Sequence, residues 1–377
     1  MIEFHQPYKV EKSLKYLEKS LIDNQLSGDG VFTKKCQSWI TNYINAKKVL
    51  MTTSCTHALE LAIILLDISP GDEVIIPSFT YPSTANAILL AGGSVVYANV
   101  DQRTMLMDPN LLEQQITDKT KAVIVVHYGG RCCDMDRILS ITNKYNIDVI
   151  EDAAQAFGTT YNGKFAGTIG KLGCFSFHQT KNITAGEGGA LVINDETLIE
   201  RAQQIRQKGT NHEKFKSGLV NSYEWVDIGS SYSPSDVLMA LLYGQLQQLE
   251  TVQKLQMKLY KSYVEFFEKN QFEVLESFSN FTKQGQVNGH LFFLLFKDAC
   301  TANAYKDFMI KNNISVVTHF VPLHVSKKGQ VYLRPQDNFK NEDDLSKRLI
   351  RLPIYASLKQ SDQEIILEKT TLFMSSL

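Results

Sequence analysis

Between Lys48 and about Asn194, short apolar runs alternate with helix-like stretches. The runs 73–76, 94–97, 122–126, 148–150 and 189–193 are rich in valine and isoleucine and predict strands. Between them, His57–Leu66 and Met135–Tyr145 carry the three- and four-residue spacing of helices. Strands that are apolar almost throughout need cover on both faces. The pattern therefore predicts an α/β fold with a parallel sheet between helices. Ligands of such sheets bind at the carboxyl ends of the strands, where Asp152 and His127 fall.

A different pattern begins near Ser235. Leu246, Leu249, Gln253, Met257, Tyr260, Val264 and Phe267 recur at helical spacing. They predict one long helix from about Ser235 to Lys269, with room for a single break. Strand-like pieces follow at His290–Lys297 and Ile314–Thr318, with helices between and after them. The polar stretch 278–288 reads as a loop. The expected organisation is a large domain over 1–245 and a smaller C-terminal α+β domain over 246–377, carried on the long helix. No internal repeat or low-complexity tract is visible.

Composition narrows the function classes. The formal net charge is −1, which argues against a general nucleic-acid or membrane-surface binder. No apolar run approaches the roughly 20 residues of a membrane helix, and the first residues have no signal core. The 6 cysteines show no CxxC spacing and read as reduced thiols of a cytoplasmic protein. His127, His178, His290, His319 and His324 show no HExxH-type spacing, so no metal site is expected.

The chemistry concentrates around Lys181. It sits in Phe175-Ser176-Phe177-His178-Gln179-Thr180-Lys181-Asn182, with Gly186-Glu187-Gly188-Gly189 just after. Upstream, Val149-Ile150-Glu151-Asp152 is an apolar run ending in an acid. An acid at a strand end, a hydroxyl-bearing loop and a lysine are the parts needed to hold pyridoxal phosphate. Asp152 would keep the pyridine nitrogen protonated. The plain alternative for it is a helix cap. Lys181 would form the Schiff base and then shuttle a proton; a solvated surface lysine is the plain alternative, at odds with its phenylalanine and glycine neighbours.

Thr52-Thr53-Ser54-Cys55-Thr56-His57 puts small polar residues before an apolar helix, a setting that binds phosphate or merely caps the helix. Ser176 could add a hydroxyl. Tyr81, after the strand ending at Ile76, could stack on a ring or pack in a loop. The glycines of 167–173 do not follow a strand and open a helix, so they read as a turn rather than a dinucleotide fingerprint.

This ordered set resembles the sugar-nucleotide aminotransferases of the DegT/DnrJ/EryC1/StrS family, over essentially the whole chain. The most specific pieces are Glu151-Asp152-Ala153-Ala154-Gln155, Phe175-Ser176-Phe177-His178 with Lys181-Asn182, Gly186 to Gly189, and Pro322-Leu323-His324. The resemblance implies a fold-type I pyridoxal-phosphate enzyme with a mainly parallel sheet in its large domain. It implies a homodimer with shared active sites and transfer of an amino group from L-glutamate to a nucleotide-linked keto sugar. It assigns Asp152 to the pyridine nitrogen, Lys181 to the covalent linkage, Gln155 to the ring hydroxyl and Tyr81 to the ring face. Thr56, His57 and Ser176 fall to the phosphate. Where the family sends an asparagine from the neighbouring subunit to the phosphate, this chain has Ser233.

Shared stretches at 70–75, 126–128, 208–211 and 227–232 further imply dTDP-4-keto-6-deoxy-D-glucose as the acceptor and dTDP-4-amino-4,6-dideoxy-D-galactose as the product, for a surface polysaccharide. Its 4-epimer or a 3-amino sugar are the alternatives. His319 and His324, in the segment 318–324, are expected near the sugar nucleotide. Relatives that dehydrate sugars replace the lysine by histidine, and regulators with this fold usually add a DNA-binding module. An ordinary amino-acid aminotransferase would need an arginine for the α-carboxylate, and no arginine stands out in the pattern.

Overall fold

The computed structural model describes residues 1–24, 26–280 and 286–377. Five strands come first: β1 (Lys48–Thr52), β2 (Glu73–Pro77), β3 (Ser94–Ala98), β4 (Thr120–Val126) and β5 (Asp148–Asp152). A small hairpin, β6 (Thr160–Tyr161) and β7 (Lys164–Phe165), precedes β8 (Leu172–Ser176) and β9 (Gly189–Ile193). These strands, apart from the hairpin, form one 7-stranded sheet in the order β1-β9-β8-β5-β4-β2-β3.

Successive side chains of each strand enter opposite layers, as the pleat requires. Leu50, Ile76, Ile124, Ile150 and Leu191 face the helix Cys55–Leu65, packing with its Leu59, Ala62 and Ile63. Val49, Met51, Phe175 and Val192 face the other way, onto Phe32, Ile40, Leu242 and Leu246. Val123, Val125 and Val149 meet Met135, Ile138 and Ile141 of the helix Met135–Lys144. Each such aliphatic side chain contributes about 1.5–3 kcal/mol when fully buried.

The predicted strands and the two predicted helices of this region are present, within a few residues of their expected ends. One direction differs from expectation. β9 runs antiparallel to both β8 and β1, while β2, β3, β4, β5 and β8 are mutually parallel. The link from β8 to β9, residues 177–188, holds no helix. Without a crossover helix the chain returns alongside the strand it left.

The long helix is broken once, into Asp236–Leu246 and Leu249–Asn270. Beyond it, β10 (Leu275–Phe278), β11 (Phe292–Phe296) and β12 (Leu349–Leu352) make an antiparallel 3-stranded sheet. Tyr263, Phe267, Phe292, Tyr305, Ile350 and Phe373 fill the core beneath it. Two expectations change here. Ile314–Thr318 is not a strand; it is an extended segment with isolated bridges from Ile314 to Ile2 and from Val317 to Arg351. The expected loop 278–288 begins on the last residue of β10, and its residues 281–285 lie outside the described residues. Strands β1, β6, β7, β10 and β12 were not legible as such. Arg351 interrupts the apolar run of β12, and β10 is too polar to stand out.

One buried carboxylate ties the strand ends together. Glu151 accepts hydrogen bonds from the backbone N–H groups of Gly167 (2.7 Å), Ile169 (2.6 Å) and Gly170 (2.5 Å). His127 Nε2 lies 2.8 Å from Glu151 Oε2, and both side chains are fully buried. His127 Nδ1 accepts the N–H of Cys133 at 3.2 Å, so the ring's own proton sits on Nε2 and is donated to Glu151. Removing the carboxylate strands these donors in the core. Glu151→Ala is expected to destabilise the fold by about 3–5 kcal/mol, read from urea unfolding, with Glu151→Gln losing less. A loss under about 1 kcal/mol for the alanine variant would refute this role.

Candidate active site

The carboxyl ends of β4, β5 and β8 open into a cavity of about 760 Å³, within the usual size of ligand sites. Its floor is Asp152, the last residue of β5. Asp152 Oδ2 accepts the hydroxyl of Thr84 at 2.9 Å, and Oδ1 accepts the N–H of Ala154 at 3.2 Å. Burial raises its proton affinity above that of an ordinary carboxyl. The Ala154 and Thr84 hydrogen bonds and the charges of Lys181 and His127 pull the other way. Among the described residues no cation contacts this acid, so it is fit to receive a protonated ring nitrogen.

Lys181 lies in the loop after β8, its backbone N–H held by the carbonyl of His178 at 2.9 Å. Burial pulls its ammonium below the ordinary lysine value, with Arg351 adding to the shift and Asp152 opposing it. A fraction of neutral amine at moderate pH is what attack on a carbonyl needs.

Small hydroxyls cluster where the helix Cys55–Leu65 starts. Ser54 caps that helix by accepting the N–H of His57 at 3.1 Å, and Thr56 Oγ1 meets Ser83 Oγ at 2.7 Å. Gly189 permits this approach: a Cβ there would stand 2.3 Å from the carbonyl carbon of Ser54. Helix-start N–H groups beside hydroxyls suit a phosphate.

The cavity thus brings together Thr56, Tyr81, Asp152, Gln155, Ser176, Lys181 and His319. Gln155 Oε1 accepts the N–H of Gly129 at 2.7 Å. Ser176 Oγ accepts the N–H of His178 at 3.3 Å. Tyr81 is 61% exposed, with its ring 6.2 Å from that of Phe320. His319 hydrogen-bonds the hydroxyl of Tyr128 and stacks on Phe320 at 3.9 Å.

Three expected residues stand elsewhere. The ring of His57 turns to Thr53 and to the edge of Tyr232, 5.2 Å away. Ser233 lies outside the cavity in the single chain, its hydroxyl 3.4 Å from Asp29. His324 is buried between Tyr97 and Phe339, with Nε2 2.9 Å from Asp343. The turn Leu323–Val325 points its ring into the core beside the helix Lys340–Arg348 instead of into the cavity.

Sequence reasoning passed over Thr84, His290, Phe4 and Arg351, which arrive from distant segments. Only the Thr84 hydroxyl, one turn after Tyr81, carried a local signal.

The DegT/DnrJ/EryC1/StrS aminotransferase family model matches residues 7–371. The chain belongs to this family. It is 30% identical to the GDP-perosamine synthase of Escherichia coli O157:H7 over 99% of both chains. It is 33% identical to the spore coat polysaccharide biosynthesis protein SpsC of Bacillus subtilis, over 86% of this chain and 85% of that one. Spr1654 of Streptococcus pneumoniae, in its apo form, matches with a TM-score of 0.91 at 25% identity, over 100% of this chain and 98% of that one. That protein is also known in PLP and PMP forms. The protein is therefore a pyridoxal-phosphate-dependent sugar aminotransferase of fold-type I.

The depressed ammonium of Lys181 has a measurable consequence. In the aminotransferase stripped of cofactor, amine labelling of Lys181 should rise at lower pH than for a free lysine, because its neutral form persists to lower pH. Peptide mass spectrometry across a pH series checks this. A profile at or above that of free lysine would contradict the effect of burial.

Proposed function

We propose that the enzyme transfers the amino group of L-glutamate to C4 of dTDP-4-keto-6-deoxy-D-glucose, giving dTDP-4-amino-4,6-dideoxy-D-galactose for a cytoplasmic stage of surface polysaccharide synthesis. The observation that carries the reading is the sharing of one cavity by a buried acid, without a cationic partner among the described residues, and a lysine with a depressed ammonium. When bound, pyridoxal phosphate supplies the electron sink that lets a substrate carbon release its proton.

The residues take distinct roles. Lys181 Nζ would hold the cofactor covalently and, once freed, would carry a proton from the donor's α-carbon to the cofactor carbon it had held, and in the reverse sense for the sugar. Asp152, held by Thr84 and Ala154, keeps the ring nitrogen protonated. Gln155 would contact the ring hydroxyl, and Tyr81 would cover the ring. Thr56, Ser176 and the N–H groups at the start of Cys55–Leu65 receive the phosphate. His319 lies at the sugar's end of the cavity. Ser233 would contribute only across a homodimer contact, while the ring of His57 is turned to Thr53 and Tyr232. His324 is not assigned to the sugar, because its ring lies away from the cavity against Asp343 and Phe339.

A second reading keeps the chemistry and exchanges the nucleotide for a GDP-linked sugar, supported by the name of the Escherichia coli relative. A 4-epimeric or 3-amino product would keep the chemistry too. Product NMR after incubation with L-glutamate and dTDP- or GDP-4-keto-6-deoxy sugar, or the dTDP-3-keto-6-deoxy isomer, decides among these readings. The expected product is the axial 4-amino sugar from the dTDP substrate; turnover of the GDP substrate alone would overturn the nucleotide assignment.

Asp152→Asn keeps the shape and removes the charge. A rate loss of at least about a hundredfold is expected at ~1.4 kcal/mol per decade, measured in steady state. A two- or threefold loss would count against the role. Borohydride reduction should leave the cofactor's mass on the peptide containing Lys181, and Lys181→Ala should lose both that adduct and turnover.

A further inference from the structure

Arg351 belongs to β12, where it pairs in register with Phe293. Its backbone is also bridged to Val317, with the Arg351 N–H donated at 2.7 Å to the Val317 carbonyl. Arg351 Nε donates to the carbonyl of Thr318 at 3.2 Å. The guanidinium carbon lies 4.9 Å from the ring centroid of Phe4. Phe4 is held there by the first residues of the chain, since Ile2 bridges to Ile314. The guanidinium is thus fixed on one edge and one face, and it lines the same cavity as Lys181 and Asp152.

Among the described residues, Arg351 forms no ion pair, and Nε is the nitrogen given a hydrogen-bond partner. An enclosed guanidinium without a carboxylate is costly unless a ligand supplies one. The walls nearby are Phe4, Val317, Phe320 and Ile354, so water replaces an anion poorly there. The cavity's other cationic candidates on this side do not compete. Burial pulls both His290 and His319 well below the ordinary histidine range, leaving neutral rings.

We propose that Arg351 receives the α-carboxylate of the amino-acid donor, with its guanidinium oriented by Phe4 and the Thr318 carbonyl. This rests on the aminotransferase reading and adds a residue for the donor half of the reaction. The α-carboxylate is bonded to the carbon whose amine exchanges with Lys181. An anion one bond from that carbon must lie close to the lysine, as a planar fork in the same cavity allows. The diphosphate of a nucleotide sugar is separated from the reacting carbon by the width of the hexose and falls farther out. A guanidinium matches a carboxylate through paired N–H donors, which lysine cannot reproduce.

The test uses holoenzyme carrying Arg351→Gln or Arg351→Lys. Two quantities are read: the concentration dependence of cofactor bleaching by L-glutamate alone, and calorimetric binding of 2-oxoglutarate and of dTDP. Arg351→Gln should weaken glutamate half-saturation and 2-oxoglutarate binding by about thirtyfold or more, the scale of a lost charge-assisted hydrogen bond. Binding of dTDP should move by less than about threefold. Arg351→Lys should fall between wild type and Arg351→Gln for the carboxylates. Weakening of dTDP as great as that of the carboxylates would overturn the proposal in favour of a diphosphate site. A lowered melting temperature with unchanged carboxylate affinity would overturn it in favour of a packing role on Phe4. Should glutamate fail to bleach the wild-type cofactor, the donor assignment fails separately. Arg351 is then judged with whichever α-amino acid does bleach it, since each carries the same carboxylate.

Discussion

The Glu151 carboxylate is the contact on which the site depends. It sits one residue before Asp152, faces the opposite layer and takes its hydrogen bonds from His127 and the 167–170 turn. It therefore joins the end of β4, the end of β5 and the entry to β8 in one network. Glu151 and Asp152 are neighbours in sequence with opposed duties, because the pleat sends them to opposite faces. One carboxylate is saturated with donors and holds the frame. The other, with two partners, keeps capacity for a ligand.

Burial does the chemical tuning. Burial disfavours charge on isolated groups here: the proton affinity of Asp152 rises and those of Lys181 and Arg351 fall. The same environment strengthens each charge once it is paired. A ligand offering a ring cation to Asp152 and a carboxylate to Arg351 would therefore gain from both charges.

The walls come from distant parts of the chain. The large sheet supplies the floor and the hydroxyl-rich helix start. The extended segment before Phe320 and β12 supply His319 and Arg351, and the N-terminal residues close over them through Phe4. Bridges from Ile2 to Ile314 and from Val317 to Arg351 lock these pieces together. A chain that lost its first residues would keep its sheet and lose the orientation of Arg351.

Several features were legible because they are local. Apolar runs of five or so residues name buried strands whatever surrounds them, and Asp152 and Lys181 announce themselves through immediate neighbours. Thr56, Tyr81, Gln155 and Ser176 follow strand ends or helix starts, and in this fold those ends face one cavity. His324 reads the same way in sequence as His319, yet a turn of backbone sends one ring to the core and the other to the cavity. Local pattern carries no information on that choice. The reversal of β9 likewise depended on a missing crossover helix rather than on the composition of the strand. Arg351 is the extreme case. In sequence it is a charge spoiling an apolar run. Its meaning arises only when Phe4, Thr318 and Lys181, separated by most of the chain, are brought around it, because a charge acquires its energy from the surroundings that folding supplies.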